Sequence, residues 1–270
     1  DAAAARATLE TATRQLPGTA NDPRFLLLSA RVEGQFANME RVRQLAHQAA
    51  EEAQRRNLTW LAAKSILLES GAAQNLGLAD AKPLRLKARA LCEQLGDLSC
   101  VAATWRIEGN FALGAGKQAE ATESYWRALK LARQTGNSWE RLNVLSGLAA
   151  PLLAADPAKA EAAYREGLHE DLAVIRTDSS GLQLGLAEAL LKQGREAEAR
   201  AEAAAAAQSA ERVKDKETTA RAYLILARID RKPELFARSI RLFEQVGNPA
   251  LIQLAQKELQ IHSERFRTFH

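Results

Sequence analysis

The stretch that decides the fold runs from Trp105 to Leu129 and reads WRIEGNFALGAGKQAEATESYWRAL. Apolar residues recur at helical spacing in its second half and just beyond it: Ala121, Tyr125, Ala128, Leu129 and Ala132. They fall on one side of a helix and form a single apolar stripe. The first half carries Trp105, Gly109 and Ala112 on one face, and a Gly-rich turn separates the two halves. This pattern predicts two closely packed helices, which cannot bury their stripes without stacked neighbours.

The same organisation recurs about every forty residues along the chain. Its marker is a helical run that ends in a small polar turn and is followed at once by another helical run. The markers are Asn21-Asp22, Arg56-Asn57, Gly96-Asp97, Gly136-Asn137, Thr177-Asp178, Lys214-Asp215 and Gly247-Asn248. An Asp or Asn there accepts hydrogen bonds from the free N–H groups of the next helix, and a preceding Gly suits the left-handed end of the previous one.

The composition supports helices and argues against several functional classes. Alanine and leucine dominate, and aromatic residues make up only 5%, which favours a nearly all-α chain. The net charge is +4 with both signs interspersed, so we expect no direct nucleic-acid binding from this segment. Charged residues interrupt every apolar stretch before the ~18 residues of a membrane span, so no membrane insertion is expected. Neither CxxC nor HExxH occurs, and we assign no metal, cofactor or catalytic residue.

The Trp105–Leu129 stretch resembles the tetratricopeptide repeat (TPR). The family's aromatic, mid-helix Gly, turn Gly, Ala, aromatic and Ala fall at Trp105, Gly109, Gly116, Ala121, Tyr125 and Ala128. A second match runs from Leu186 to Ala206, and a weaker one surrounds Tyr164. Periods near forty residues resemble the long-helix variant found in bacterial signalling and transcription-regulatory proteins.

The resemblance implies an all-α fold, a right-handed α-α superhelix (TPR-like solenoid) of about 13–14 antiparallel helices. We expect one domain over residues 1–270, with approximate repeats 22–56, 57–96, 97–136, 137–177, 178–214 and 215–247 and partial helices 1–16 and 249–266.

Arrays of this family curl so that the first helix of each pair lines a concave groove, which usually binds an extended peptide or a helix. Carried over by position, the candidate peptide-binding or partner-binding residues are Arg31, Gln35, Gln74, Arg106, Asn110, Glu188, Lys192 and Arg228. Arg grips carboxylates in a fork, and amides bond a peptide backbone. The alternative is that these are ordinary solvated helix positions.

We therefore expect a protein-binding or peptide-binding scaffold, the sensor or interaction region of a larger bacterial regulator. The alternatives are a small-ligand-sensing solenoid that controls an attached winged-helix or kinase domain, and an enzyme on a helical scaffold. The chain starts Asp-Ala-Ala-Ala without Met and is expected to be part of a longer protein. We expect a cytoplasmic location, or a periplasmic one if a preceding part carries a membrane span, and the terminal helices could mediate a homodimer.

The cysteines, two tryptophans, one proline and a His-Glu-Asp sequence lead to four further structural expectations. Cys92 and Cys100 are expected to be small apolar residues in neighbouring helices, with a disulfide as the alternative. Trp60 and Trp139, just after repeat boundaries, are expected to pack between repeats rather than stack on a ligand. Pro151 should bend its helix. His169, Glu170 and Asp171 point in different directions if helical and are read as an exposed helix end, not a catalytic trio.

Overall fold

The computed structural model describes residues 2–170 and 179–268, except for the side chains of residues 17 and 262–268. Within these residues the chain is all-α, with fourteen α-helices, one 3₁₀ turn (Pro17–Thr19) and no strand. The helices are α1 (Ala2–Gln15), α2 (Pro23–Gly34), α3 (Met39–Arg55), α4 (Thr59–Asn75), α5 (Ala81–Gln94), α6 (Leu98–Gly114), α7 (Gln118–Thr135), α8 (Ser138–Ala155), α9 (Pro157–Glu170), α10 (Ser180–Lys192), α11 (Glu196–Val213), α12 (Lys216–Asp230), α13 (Pro233–Val246) and α14 (Pro249–Thr268). The marker Thr177-Asp178 and Asp171 lie outside the described residues.

Polar turns start several helices through side-chain capping. Asp97 Oδ1 accepts a hydrogen bond from the Cys100 N–H at 2.9 Å, and Asp22 and Asp215 cap α2 and α12 in the same way. Asn57 was expected to cap α4, and this is wrong. Its φ of 56° places it in the left-handed region, where it ends α3, and Leu58 takes the cap position of α4 without a side-chain bond.

The helices divide into two compact units, and each pairs its helices in sequence order. The first unit consists of residues 1–117 and 126–137, and the second of residues 118–125 and 138–270. In the first unit α2 packs on α3 and α4 on α5, and in the second α8 packs on α9, α10 on α11 and α12 on α13. In each of these pairs we call the earlier helix the first helix and the later one the second helix, and we extend the terms to α6 and α7. A single domain over the whole chain stays a prediction.

The buried core of both units is rich in alanine, which lets the helices approach closely. In the first unit one cluster joins α2, α3 and α4 through Leu26, Ala30, Ala46, Ala49 and Leu61. In the second, Ala203 and Ala206 of α11 pack with Leu184 of α10 and Ile225 of α12. Because alanine supplies little buried area per residue, each interface needs many of them, as the composition predicts.

Cys92, near the end of α5, and Cys100, in the first turn of α6, form a disulfide. Both sulfur-bearing side chains are fully buried in the first unit. The placement in neighbouring helices is as expected, but the expectation that the two cysteines stay unpaired is wrong. The turn that separates the helices, with Gly96 in the left-handed region at φ 64°, brings their ends together.

The boundary tryptophans are both more than half exposed. Trp60 Nε1 donates to Asp97 Oδ2 at 2.9 Å, so it links the starts of two successive first helices, α4 and α6. This hydrogen bond joins two repeats, while the expected packing of Trp60 and Trp139 between repeats stays a prediction. α8 continues through the buried Pro151, and the bend expected there stays a prediction. His169 is exposed in the last turn of α9.

Among the described residues, no helix has the length and apolar character needed to cross a bilayer.

Candidate partner-binding face

In the first unit the candidate residues lie near the ends or middle of first helices. Arg31 is in the last turn of α2 and Gln35 follows it, while Gln74 is in the last turn of α4. All three are exposed, and their side chains make no hydrogen bond or ion pair to any residue that the structure describes. Arg106 is half-buried and Asn110 exposed on α6. This unit therefore presents polar donors that a ligand can use.

In the second unit two candidates already hold partners within the chain. Arg221 Nη2 of α12 donates to Glu188 Oε1 of α10 at 2.9 Å. Arg228 of α12 makes two hydrogen bonds of 2.7 Å to the carboxylate of Glu258 on α14. The first ion pair joins two successive first helices, α10 and α12, and the second joins α12 to the last helix, α14. A ligand carboxylate would have to displace Glu258 from Arg228, whereas Lys192, exposed at the end of α10, has no partner among the described residues.

A charged cluster lies between α5 and α6, and none of its residues is among the candidates predicted from the sequence. Arg85 and Arg89, one turn apart on α5, are only 3% and 9% exposed. Arg85 Nε donates to Glu108 Oε2 at 2.7 Å, and Arg89 Nη2 lies 3.6 Å from the same oxygen. Arg89 Nε donates to the hydroxyl of the fully buried Thr104 at 2.9 Å. Two buried guanidinium groups therefore share one carboxylate.

Aromatic rings complete this cluster. The Arg89 guanidinium lies 3.6 Å from the ring centroid of Trp105, and that of Arg127 lies 4.6 Å from the same centroid. Arg85 lies 4.9 Å from the Phe111 ring centroid. A desolvated cation over an aromatic face is stabilised by the ring quadrupole. The aromatic residue that carries the repeat pattern at Trp105 thus serves here as the surface on which arginines stack.

The pKa values in this cluster are shifted by burial and by the presence of two arginines beside one carboxylate. Burial lowers the pKa of Arg89, and the charge of Glu108 opposes that effect. Burial by itself would raise the pKa of Glu108, but the Arg85 hydrogen bond and the charges of Arg85 and Arg89 outweigh it and the pKa is lowered. Arg85 Nη1 and Arg89 Nη2 are buried without a hydrogen-bond partner in the described part of the chain. Glu108 therefore stays ionised at neutral pH.

An open cavity of about 700 Å³ lies beside α3, α4 and α5 in the same unit. His47 of α3 reaches into it, with Nδ1 3.0 Å from Glu69 Oε1 and Nε2 3.5 Å from Glu51 Oε1. Glu69 is buried, and Arg43 Nη2 contacts Asp80 Oδ2 at 2.7 Å. The described residues hold no group of three or more side chains placed to bind a metal ion. The cavity is of the size that small organic ligands occupy.

No family model matches the chain, and no similar sequence was found among curated proteins. Solved structures do match. A Signal Transduction ATPase with Numerous Domains (STAND) protein with a tetratricopeptide repeat sensor, from Pyrococcus horikoshii, has a TM-score of 0.72 at 15% identity over 86% of this chain and 37% of that one. A Rap protein complexed with Competence and Sporulation Factor has a TM-score of 0.56 at 16% identity, over 80% of this chain and 65% of that one. BtubC (BKLC) from P. vanneervenii has a TM-score of 0.61 at 15% identity, over 86% of this chain and 94% of that one.

At these identities the likeness concerns the fold alone. The chain spans 37% of the STAND protein and 65% of the Rap protein, so the activities of those longer proteins do not transfer to it. The predicted fold class, an all-α superhelical repeat, is confirmed by these structures and by the helix pairs described above. The chain has the fold of a TPR-like helical repeat protein.

Proposed function

We propose that this chain is a partner-binding module that takes an extended peptide or a helix along its first helices. The observation that carries the proposal is the set of exposed, unpaired side chains of Arg31, Gln35 and Gln74 on two successive first helices of one unit. Side chains without an internal partner lose no hydrogen bond within the chain when they bind a ligand. A guanidinium flanked by two amides can bind a peptide's carboxylate while the amides bind its backbone. The matched Rap structure is itself a complex with Competence and Sporulation Factor.

The eight candidates divide into two roles within this proposal. In the first unit Arg31, Gln35 and Gln74 contact the partner directly, together with Arg106 and Asn110 on α6. Lys192 is the candidate contact residue of the second unit, taken by itself. Glu188 and Arg228 hold α12 against α10 and α14 through their ion pairs with Arg221 and Glu258. The proposal assigns no reaction, metal or cofactor to the chain, and it involves neither DNA nor a membrane. A homodimer through the terminal helices remains a separate prediction.

An array of immobilised peptides, each with a free C-terminal carboxylate and again as its amide, tests the proposal directly. The wild-type chain should retain a subset of the free-acid peptides, and Arg31→Ala and Arg106→Ala should each weaken that subset about tenfold. Arg55→Ala removes an exposed arginine from a second helix, α3, and should leave the retained set unchanged. Equal retention by all four proteins would contradict the proposed face.

A second candidate function, small-ligand sensing, is supported by the 700 Å³ cavity with its His47–Glu69 pair. The matched STAND structure is described as carrying a tetratricopeptide repeat sensor. A thermal-shift screen of small metabolites tests it, because a bound ligand stabilises the folded chain by mass action. A hit that Glu69→Gln abolishes and Glu123→Gln retains would favour this function over peptide binding.

The disulfide bears on where the module works. Disulfides persist in oxidising compartments and are rare in the cytosol. The Cys92–Cys100 bond therefore supports the periplasmic alternative over the cytoplasmic one. Locating the natural protein by cell fractionation, with the redox state of the two cysteines read in parallel, decides between them.

A further inference from the structure

A basic cavity in the second unit contains none of the eight candidate partner-binding residues. Its volume is about 600 Å³. It is bounded by the end of α11, the first turn of α12 and one side of α13, and its lining residues are Glu211, Lys214, Lys216, Thr219, Arg238, Arg241, Leu242 and Gln245. The α13 residues follow the i, i+3, i+4, i+7 spacing of a single helix face. Two second helices, α11 and α13, and the start of the first helix α12 therefore build one concave surface.

The charges of this basic cavity are unbalanced. Four cationic side chains line it against the single carboxylate of Glu211. That carboxylate is already engaged, since its Oε1 accepts from the Tyr223 hydroxyl at 2.9 Å and from Arg238 Nη2 at 2.8 Å. The other three cations, Lys214, Lys216 and Arg241, have no carboxylate partner among the residues that the structure describes.

This imbalance is not general in the second unit. Other arginines there hold carboxylates at 2.6–2.9 Å: Arg141, Arg165, Arg195, Arg200, Arg221 and Arg228. Like charges that line one cavity repel each other and raise the local potential for anions. The cavity is therefore a place where an added anion would relieve the repulsion between its cations.

One of the four cations, Arg238, makes both a ring contact and a hydrogen bond within the chain. The Arg238 guanidinium lies 4.0 Å from the Tyr223 ring centroid and donates one Nη2 bond to Glu211. Stacking and the hydrogen bond fix the plane of the guanidinium and leave its other N–H donors for a ligand. An arginine with these contacts loses little conformational entropy when it binds an oxyanion through two hydrogen bonds.

We infer that this basic cavity binds the phosphoryl group of a small phosphate ester. A phosphoryl group presents a double negative charge at neutral pH and several acceptor oxygens, which matches the excess of three positive charges and the Arg and Lys donors. The cavity is far larger than a phosphate ion, which leaves room for the organic part of the ester beside Leu242 and the methylene stems of the basic side chains. This inference stands independently of the proposed partner-binding face.

The inference is tested by calorimetric titration of the whole chain with four probes: inorganic phosphate, pyrophosphate, adenosine monophosphate and a phosphoserine peptide. We expect the nucleoside monophosphate to bind more tightly than inorganic phosphate. In a Lys216→Gln/Arg241→Gln double variant the affinity should fall about tenfold or more, and added salt should weaken wild-type binding more steeply than that of the variant. Both positions are exposed, so the fold should be kept, which circular dichroism checks.

The matched control is Lys232→Gln/Lys257→Gln, which removes two exposed charges of the same unit that do not line the cavity. It should bind as the wild type does. Equal losses in both double variants would reduce the effect to net charge and overturn the site. Absence of binding by every probe, or equal affinity for inorganic phosphate and the ester, would overturn the ester assignment. Tighter binding of the phosphoserine peptide than of the nucleotide would move the ligand to a phosphorylated protein segment and overturn it as well.

Discussion

Arg85 of α5 and Glu108 of α6 form an ion pair of 2.7 Å, and the position of Arg85 is occupied in the following repeat by the buried ring of Tyr125. Tyr125, forty residues later in the sequence, follows Ala121 as Arg85 follows Ala81. A buried guanidinium without its carboxylate is costly, because its desolvation is no longer offset. Glu108→Gln should therefore destabilise the first unit by about 3 kcal/mol, measured by urea unfolding followed by tryptophan fluorescence.

A double-mutant cycle separates the pair from its surroundings. Arg85→Met removes both the charge and the unpartnered Nη1, and it leaves Glu108 with Arg89 at 3.6 Å. This single change should cost less than Glu108→Gln. The combined variant should be more stable than the sum of the two losses indicates, by about 1 kcal/mol or more. Additive losses would show that the two side chains are not coupled.

Gly147 of α8 is required by the buried ring of Tyr125. A Cβ at this position would lie 2.6 Å from Tyr125 Cε1, and the ring is only 1% exposed. Gly147→Ala should therefore be destabilising, since overpacking costs about 1–3 kcal/mol against about 1 kcal/mol of helix propensity gained. Thermal unfolding of the variant measures the net loss.

Gly71 of α4 provides the matched control for that substitution. It is also inside a helix, but a Cβ there would meet no atom within 4 Å. Gly71→Ala should stabilise the chain by about 0.5–1 kcal/mol, because alanine loses less backbone entropy than glycine on folding. If Gly147→Ala raised stability as Gly71→Ala does, the close contact with Tyr125 would be absent in solution.

The sequence predicted those parts of the fold that local chemistry determines. Asp22, Asp97 and Asp215 could be recognised as helix starts because a capping side chain acts within three residues of itself. The prediction that Asn57 caps α4 was wrong because Asn is common both at helix N-caps and in the left-handed conformation that ends a helix. Only the backbone, at φ 56°, distinguishes the two.

The candidate site was less predictable, because its contacts join residues far apart in the sequence. The Arg228–Glu258 and Glu188–Arg221 pairs span 30 and 33 residues, close to one repeat. A search for opposite charges one repeat apart could have found them. Nothing local distinguishes Arg85 from a solvated arginine, since its burial arises from packing against α6.

Tyr164 makes the stability of the second unit sensitive to alkali. Its ring is 7% exposed. Burial, helped by the charge of Glu188 and opposed by that of Arg221, raises the pKa of its phenol to about 12. In the unfolded chain the group ionises near pH 10. The folded state therefore holds the proton more tightly, and stability is lost as pH rises from 10 through 12, by about 3 kcal/mol in total.

Absorbance at 295 nm, which reports tyrosinate, measures this ionisation, and urea unfolding at pH 9 and pH 11.5 measures its effect on stability. Tyr164→Phe should lose less stability between the two pH values than the wild type. Glu188→Gln removes one cause of the raised pKa and should shift the titration of Tyr164 downward. An unchanged alkaline loss in Tyr164→Phe would assign the effect to other groups.

The Cys92–Cys100 disulfide should stabilise the first unit modestly, because it closes a loop of only 8 residues. Chain-entropy arguments give about 2–3 kcal/mol for a loop of this length. Part of that constraint already exists in the turn, where the Asp97 N–H donates to the Cys92 carbonyl at 3.0 Å. We therefore expect reduction to lower the free energy of unfolding by about 2 kcal/mol or less, measured as the shift between urea unfolding curves with and without reductant.

A Cys92→Ala/Cys100→Ala variant should be insensitive to reductant. In protein produced in an oxidising compartment, alkylation under denaturing conditions should modify neither cysteine before reduction and both afterwards, and two reactive thiols before reduction would contradict the pairing.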